Sequence, residues 1–249
     1  MSARQRGGVA RLRAMSRHLS WLSIVLASLS ALDAYGATGD TPAPDNIETR
    51  VLACTPCHGL RGQGTQDDYF PRLAGKPAGY LYNQLVAFRD GRRRYAPMNY
   101  LLEYQTDAYL QKIGAYFSAL RPPPMPPAVS DASATVIARG KTLVTDGDQA
   151  HGVPACAGCH GPKLTGMEPG IPGLVGLRAN YISAQLGGFR YGTRTAAAPD
   201  CMQLVAASLT ESDVTAVAAY LASQPVPTDP SPVSQGALAM PFACGSEPH

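Results

Sequence analysis

The 249-residue chain is 45% hydrophobic, 16% charged and 7% aromatic, with 22 Pro and 25 Gly. That composition excludes a disordered chain and gives no support to nucleic-acid binding. The length allows one large domain or two small ones, and the formal net charge of +3 is misleading because its excess lies at one end.

Arg4, Arg6, Arg11, Arg13 and Arg17 precede an apolar run from about Leu19 to Leu32, and Ala34-Tyr35-Gly36 follows with small residues flanking a tyrosine. A basic segment, a short apolar segment and a small-residue cleavage site form a secretory signal. The apolar run is shorter than the ~20 residues that span a bilayer, and no Cys follows it to carry a lipid. The expectation is export to the periplasm, cleavage near Gly36 and no transmembrane anchor afterwards. Without residues 1–36 the chain holds 16 basic and 17 acidic side chains, so the electrostatic case for nucleic acid disappears.

Further along, weak helices are expected around Ile47–Leu52 and Val136–Val144, each before a Cys motif. Tyr80, Leu81, Gln84, Leu85 and Phe88 keep helical spacing until Gly91, and Tyr109 to Leu120 repeat that period until Pro122. Thr210 and Asp213 form a capping box ahead of a helix that runs through Leu221. No alternating strand pattern of useful length is visible. Arg121 to Pro127 is too rich in Pro to be helical and reads as an extended spacer. The Pro-rich tail from Pro225 is irregular and is expected to lie along the second half of the chain.

An internal repeat organises these elements. Cys54-Thr55-Pro56-Cys57-His58-Gly59 recurs as Cys156-Ala157-Gly158-Cys159-His160-Gly161, and Pro71-Arg72-Leu73-Ala74-Gly75 recurs as Pro172-Gly173-Leu174-Val175-Gly176. Tyr80, Gln84-Leu85, Phe88-Arg89 and Gly91 return as Tyr181, Gln185-Leu186, Phe189-Arg190 and Gly192. Residue type and order persist over this whole length, which marks a duplicated domain.

The Cys-x-x-Cys-His motif has a mechanical reason. Two thiols three residues apart can add to the two vinyl groups of one haem, and the adjacent His then reaches the iron. Two copies in an exported, duplicated frame imply two covalently bound haem c groups. A redox dithiol would need a thioredoxin-like β/α context, and a zinc ribbon would need Cys pairs ~15–20 residues apart. Neither is found here.

Each iron then needs a second axial ligand. Met98 and Met202 occupy corresponding places, in a loop expected between the Phe-Arg helix and the last helix of each copy. A thioether opposite His raises the potential, as suits an electron carrier; the alternative is a gap-filling core methionine. The carbonyls of Pro71 and Pro172 are candidates to accept the other ring N–H of His58 and His160, against the plain reading of turn prolines. Cys201 and Cys244 occur only in the second copy, and export favours a disulfide between them; the alternative puts Cys201 on the iron. Arg89, Arg92, Arg93 and Arg94 can neutralise propionates, pair across domains, dock an acidic partner, or simply complement a helix end.

From about Asp45 to Gln224, these motifs resemble the dihaem cytochrome c4 family. The resemblance rests on the duplicated Cys-x-x-Cys-His-Gly, Pro-x-Leu-x-Gly and Tyr-x-x-x-Gln-Leu motifs with Phe-Arg, and on a distal Met before an Ala-Tyr-rich terminal helix. It implies an all-α fold of two tandem class I cytochrome c domains, with His58/Met98 and His160/Met202 ligation and haems facing each other near the domain interface. The expected layout is a signal peptide at 1–36, a first domain at 37–120, a Pro-rich linker at 121–134, a second domain at 135–224 and a packed tail at 225–249. The expected role is electron transfer rather than catalysis, between a dehydrogenase or quinol-oxidising complex and a terminal oxidase or reductase, with dehydrogenases, oxidases or other cytochromes as partners. The alternatives are a cytochrome subunit of a dehydrogenase complex and a dihaem enzyme of the peroxidase or thiosulfate dehydrogenase type. Cys201 and the Cys244 tail are departures from the family that suggest a specialised member.

Overall fold

Side-chain caps and prolines set where the helices begin. In this computed structural model, residues 45–67 and 69–247 are described; the expected signal peptide lies outside them. Asn46 caps α1 (Ile47–Arg50) by accepting from the Thr49 amide. A 3-10 turn over Val51–Cys54 then leads into α2 (Thr55–His58), so the helix expected over Ile47–Leu52 is α-helical only to Arg50. Pro77 precedes α3 (Ala78–Arg89), which stops at Asp90 and Gly91. Next come α4 (Ala96–Leu102), with Pro97 in its first turn, and α5 (Asp107–Ala119), capped by Thr106.

The second half repeats this order with a longer opening helix. Ser133 caps α6 (Ala134–Thr145), which is followed by α7 (Cys156–His160). Two-residue strands β1 (Gly166–Met167) and β2 (Ile171–Pro172) pair antiparallel, a small hairpin that periodicity does not foresee. After α8 (Ala179–Arg190) and α9 (Cys201–Ser208), α10 (Glu211–Ser223) opens on the complete Thr210/Asp213 capping box.

Two apolar cores result. The first gathers Leu81, Phe88, Leu110, Ile113 and Phe117 where α3 packs on α5. The second gathers Leu143, Ile182, Leu186, Val217 and Leu221 where α6, α8 and α10 meet. The closest helix crossing is at Gly140, where an added Cβ would lie 2.1 Å from the Ala216 carbonyl oxygen on α10. Only glycine lets those backbones approach so nearly.

The residues between the cores have no regular structure, as the prolines dictate. The Arg72 guanidinium donates to the carbonyls of Pro122 (2.8 Å) and Pro123 (3.1 Å), and Ala128 N–H donates to Ala222. The tail folds back on the second half through backbone hydrogen bonds that include Val233 N–H to Gly166, Glu168 N–H to Val233 and Gly245 N–H to Pro199. Among the described residues no single helix is long and apolar enough to cross a membrane.

Candidate haem sites

Short helices present each Cys-x-x-Cys-His motif. Both α2 and α7 end on their histidine because Gly59 and Gly161 take positive φ (80° and 83°), which turns the chain sharply away. His58 and His160 are buried, and the four motif cysteines are half-buried. Burial pushes the thiols of Cys54 and Cys156 up to about 11. Reactive dithiols have depressed pKa values, so this environment does not suit a disulfide oxidoreductase.

Each histidine is oriented by a backbone carbonyl thirteen or twelve residues away. His58 Nδ1 lies 3.0 Å from the Pro71 carbonyl oxygen, and His160 Nδ1 lies 2.7 Å from that of Pro172. A carbonyl only accepts, so Nδ1 must carry the proton and Nε2 keeps its lone pair for a metal. Burial lowers the pKa of His58, and lowers that of His160 to about 4, which favours the neutral imidazole that ligation requires.

In the second copy these groups share one largely apolar cavity. Cys156, Cys159, His160 and Met202 line it together with Leu174, Ile182, Leu186 and Val217. Two thiols, an oriented imidazole, a thioether and an apolar wall fit a covalently attached haem. In the first copy, Cys54 and Met98 both pack against the first apolar core, and Phe70 stands edge-on to His58 at 6.2 Å.

Met98 and Met202 are on helices α4 and α9 rather than in loops. The physical reason is local: Pro97 sits in the first turn of α4, and Asp200 accepts from the Gln203 amide to start α9. Cys201 forms a disulfide with Cys244, with 5.3 Å between their Cα atoms, immediately before Met202. The tail also supplies Met240, Phe242 and Ser246 to the cavity wall. The cationic stretch divides in two. Arg89 pairs with Asp107 and Asp90, whereas Arg93 turns inward.

Sequence reasoning passed over Arg194 and Lys76. Arg93 and Arg194 form an isolated antiparallel bridge and hydrogen-bond the same two glutamines, Gln84 and Gln185. The repeat register, extended two residues past Gly91 and Gly192, would have found that pair.

A cytochrome c family model matches residues 137–225. The chain is 37% identical over 176 residues to the "Thiosulfate dehydrogenase electron acceptor" of Thiomonas intermedia, covering 71% of this chain and 80% of that protein. It is 36% identical over 187 residues to cytochrome c4 of Pseudomonas aeruginosa, covering 74% of this chain and 89% of the relative. The crystal structure of reduced recombinant cytochrome c4 from Pseudomonas stutzeri superposes with a TM-score of 0.61 at 33% identity, covering 71% of this chain and 95% of the other.

Proposed function

Because the chain belongs to the dihaem cytochrome c4 family, as an all-α pair of class I cytochrome c domains that carries electrons on two covalently bound haem c groups, we propose the residue roles and the setting that follow. Cys54 and Cys57 hold the first haem and Cys156 and Cys159 the second. His58 with Met98 and His160 with Met202 would ligate the two irons. The division at 37–120, 121–134, 135–224 and 225–249 separates two haem domains from linker and tail.

The observation that carries this reading is the repeated His Nδ1-to-proline-carbonyl hydrogen bond, which leaves Nε2 as the unprotonated ring nitrogen in both copies. When bound, haem supplies reversible one-electron exchange between ferrous and ferric iron. The chain's own part is to fix the imidazole tautomer, hold a thioether on the short helices α4 and α9, and keep water from the buried histidines.

The setting is the periplasm after removal of residues 1–36. The chain takes electrons from a dehydrogenase or quinol-oxidising complex and passes them to an oxidase, reductase or another cytochrome. A second reading, a cytochrome dedicated to one dehydrogenase, is favoured by the 37% identity to a thiosulfate dehydrogenase electron acceptor and by the tail disulfide.

The test is haem counting by mass and by pyridine haemochrome. The native protein carries two haems, and C54A/C57A and C156A/C159A each carry one. Retention of two haems in either variant overturns the attachment sites.

A further inference from the structure

Three cations meet where the two copies touch, and among the described residues none has an acid to answer it. Arg93 is 9% exposed and donates to Tyr181 Oη (2.9 Å), Gln185 Oε1 (2.6 Å) and Gln84 Oε1 (3.0 Å). Arg194 is 8% exposed and donates to Gln84 Oε1 (2.8 Å), Gln185 Oε1 (3.0 Å) and Tyr80 Oη (3.4 Å). Each guanidinium also lies over a phenylalanine of its own copy, Phe88 at 4.5 Å and Phe189 at 4.4 Å. Lys76 reaches from the first copy to the loop that supports His160, where Nζ donates to the Gly173 carbonyl at 2.9 Å.

All of these partners are neutral. Among the described residues no carboxylate pairs with Lys76, Arg93 or Arg194. Burying one charge without a counter-ion is costly, and burying two like charges side by side with a third, half-buried one next to them is more so. Burial, reinforced by the neighbouring arginines, brings Lys76 down to about 8. Lys76 and Arg194 also line the cavity that contains Cys156, Cys159, His160 and Met202. An anion entering that cavity would relieve the cost, and a haem brings two carboxylates.

We propose that Lys76, Arg93 and Arg194 form one carboxylate-binding site shared by the two copies, that it receives haem propionates, and that Lys76 is the first copy's electrostatic contribution to the second haem. The proposal rests on the haem attachment given above. The asymmetry is visible in the repeat. Arg93 and Arg194 correspond to each other, but the counterpart of Lys76 is Leu177, a core residue 8% exposed. The first copy therefore lends the second a cation and receives none at the matching place. A fixed positive charge disfavours the extra charge of ferric iron, so Lys76 favours the reduced form of the second haem over that of the first.

The experiment is a spectroelectrochemical titration of the dihaem holoprotein, native and with Lys76→Leu, Lys76→Gln and Lys76→Arg. A separate Met202→His sample, whose second haem has an altered spectrum, serves only to show which wave of the titration belongs to the second haem. Lys76→Leu and Lys76→Gln shift the ferric-to-ferrous balance of the second haem about tenfold toward ferric, or about 59 mV for one electron. The first haem moves much less, and Lys76→Arg restores the native value. Equal movement of both haems, or no movement of the second with both haems attached, overturns the proposal. Gln is the variant read if Leu sheds the second haem. A native protein with fewer than two haems would instead overturn the attachment sites.

Discussion

Replacing both Cys201 and Cys244 by Ala removes the covalent tie between the tail and the start of α9 without leaving an odd thiol. The bond closes a 43-residue separation. The chain-entropy relation assigns such a loop about 4 kcal/mol, since opening it enlarges the unfolded ensemble. The tail keeps other anchors, including the Gly245 N–H to the Pro199 carbonyl and the Gly170 N–H to the Glu247 carboxylate at 3.2 Å. About 3 kcal/mol is therefore the expected loss, confined to the second core. Guanidinium unfolding, followed by far-ultraviolet circular dichroism and by Soret absorbance, reads this as an earlier transition for one of two domains. Because Met240 and Phe242 wall the cavity, the reduced variant also binds carbon monoxide at one haem more readily than the native protein. A transition within 0.5 kcal/mol of native, with the same slope (an order set by the precision of such extrapolations), would refute the reasoning, because the tail would then be held by its non-covalent contacts alone.

Two further outcomes follow from the packing and the charges. Gly140→Ala places a Cβ 2.1 Å from the Ala216 carbonyl oxygen. Overpacking of this kind costs about 3 kcal/mol, and the gain in helix propensity returns about 1. The second domain should therefore lose about 2 kcal/mol, seen as a melting temperature about 10 °C lower, and a shift under about 2 °C would show that α6 and α10 separate freely. Asp213 is desolvated by burial, yet hydrogen bonds from Arg139 (2.8 Å) and Thr210 outweigh this and hold it below the usual carboxylate value of 3.8. Asp148 is held low by His151 and Arg139. Depressed carboxyls stabilise fully above their unfolded pKa and lose that contribution as pH falls through the folded value. Native stability should thus decline steeply below about pH 4. Asp213→Asn should be less stable at neutral pH and decline less steeply, and parallel curves would count against the ion-pair account.

Where residues act through neighbours in sequence, the chain is readable without its coordinates. The Thr210/Asp213 capping box, the Gly91 stop of α3 and the Cys-x-x-Cys-His helices all depend on contacts within a few positions. The helices carrying Met98 and Met202 were less legible, because each is a short run started by one residue, Pro97 or Asp200, rather than by an apolar period. The shared cationic cluster was hidden for a different reason. Arg93 meets Tyr181 and Gln185 across 88 and 92 positions, and Lys76 meets Gly173 across 97. Such contacts are set by how the two copies dock, which no local pattern encodes. The tail's return to the second half was legible from Cys201 and Cys244, but its backbone hydrogen bonds to Gly166 and Pro199 were not, since they join residues far apart in sequence.

The central claim is that two irons are each closed by a protein ligand on both faces, and the most direct test is the visible spectrum of the reduced dihaem protein before and after carbon monoxide. Two low-spin haems with an unchanged spectrum are the predicted result, with Met98 and Met202 occupying the sixth positions. Rapid binding of carbon monoxide at either haem would contradict it, and would point to an open iron and an enzyme in place of a carrier.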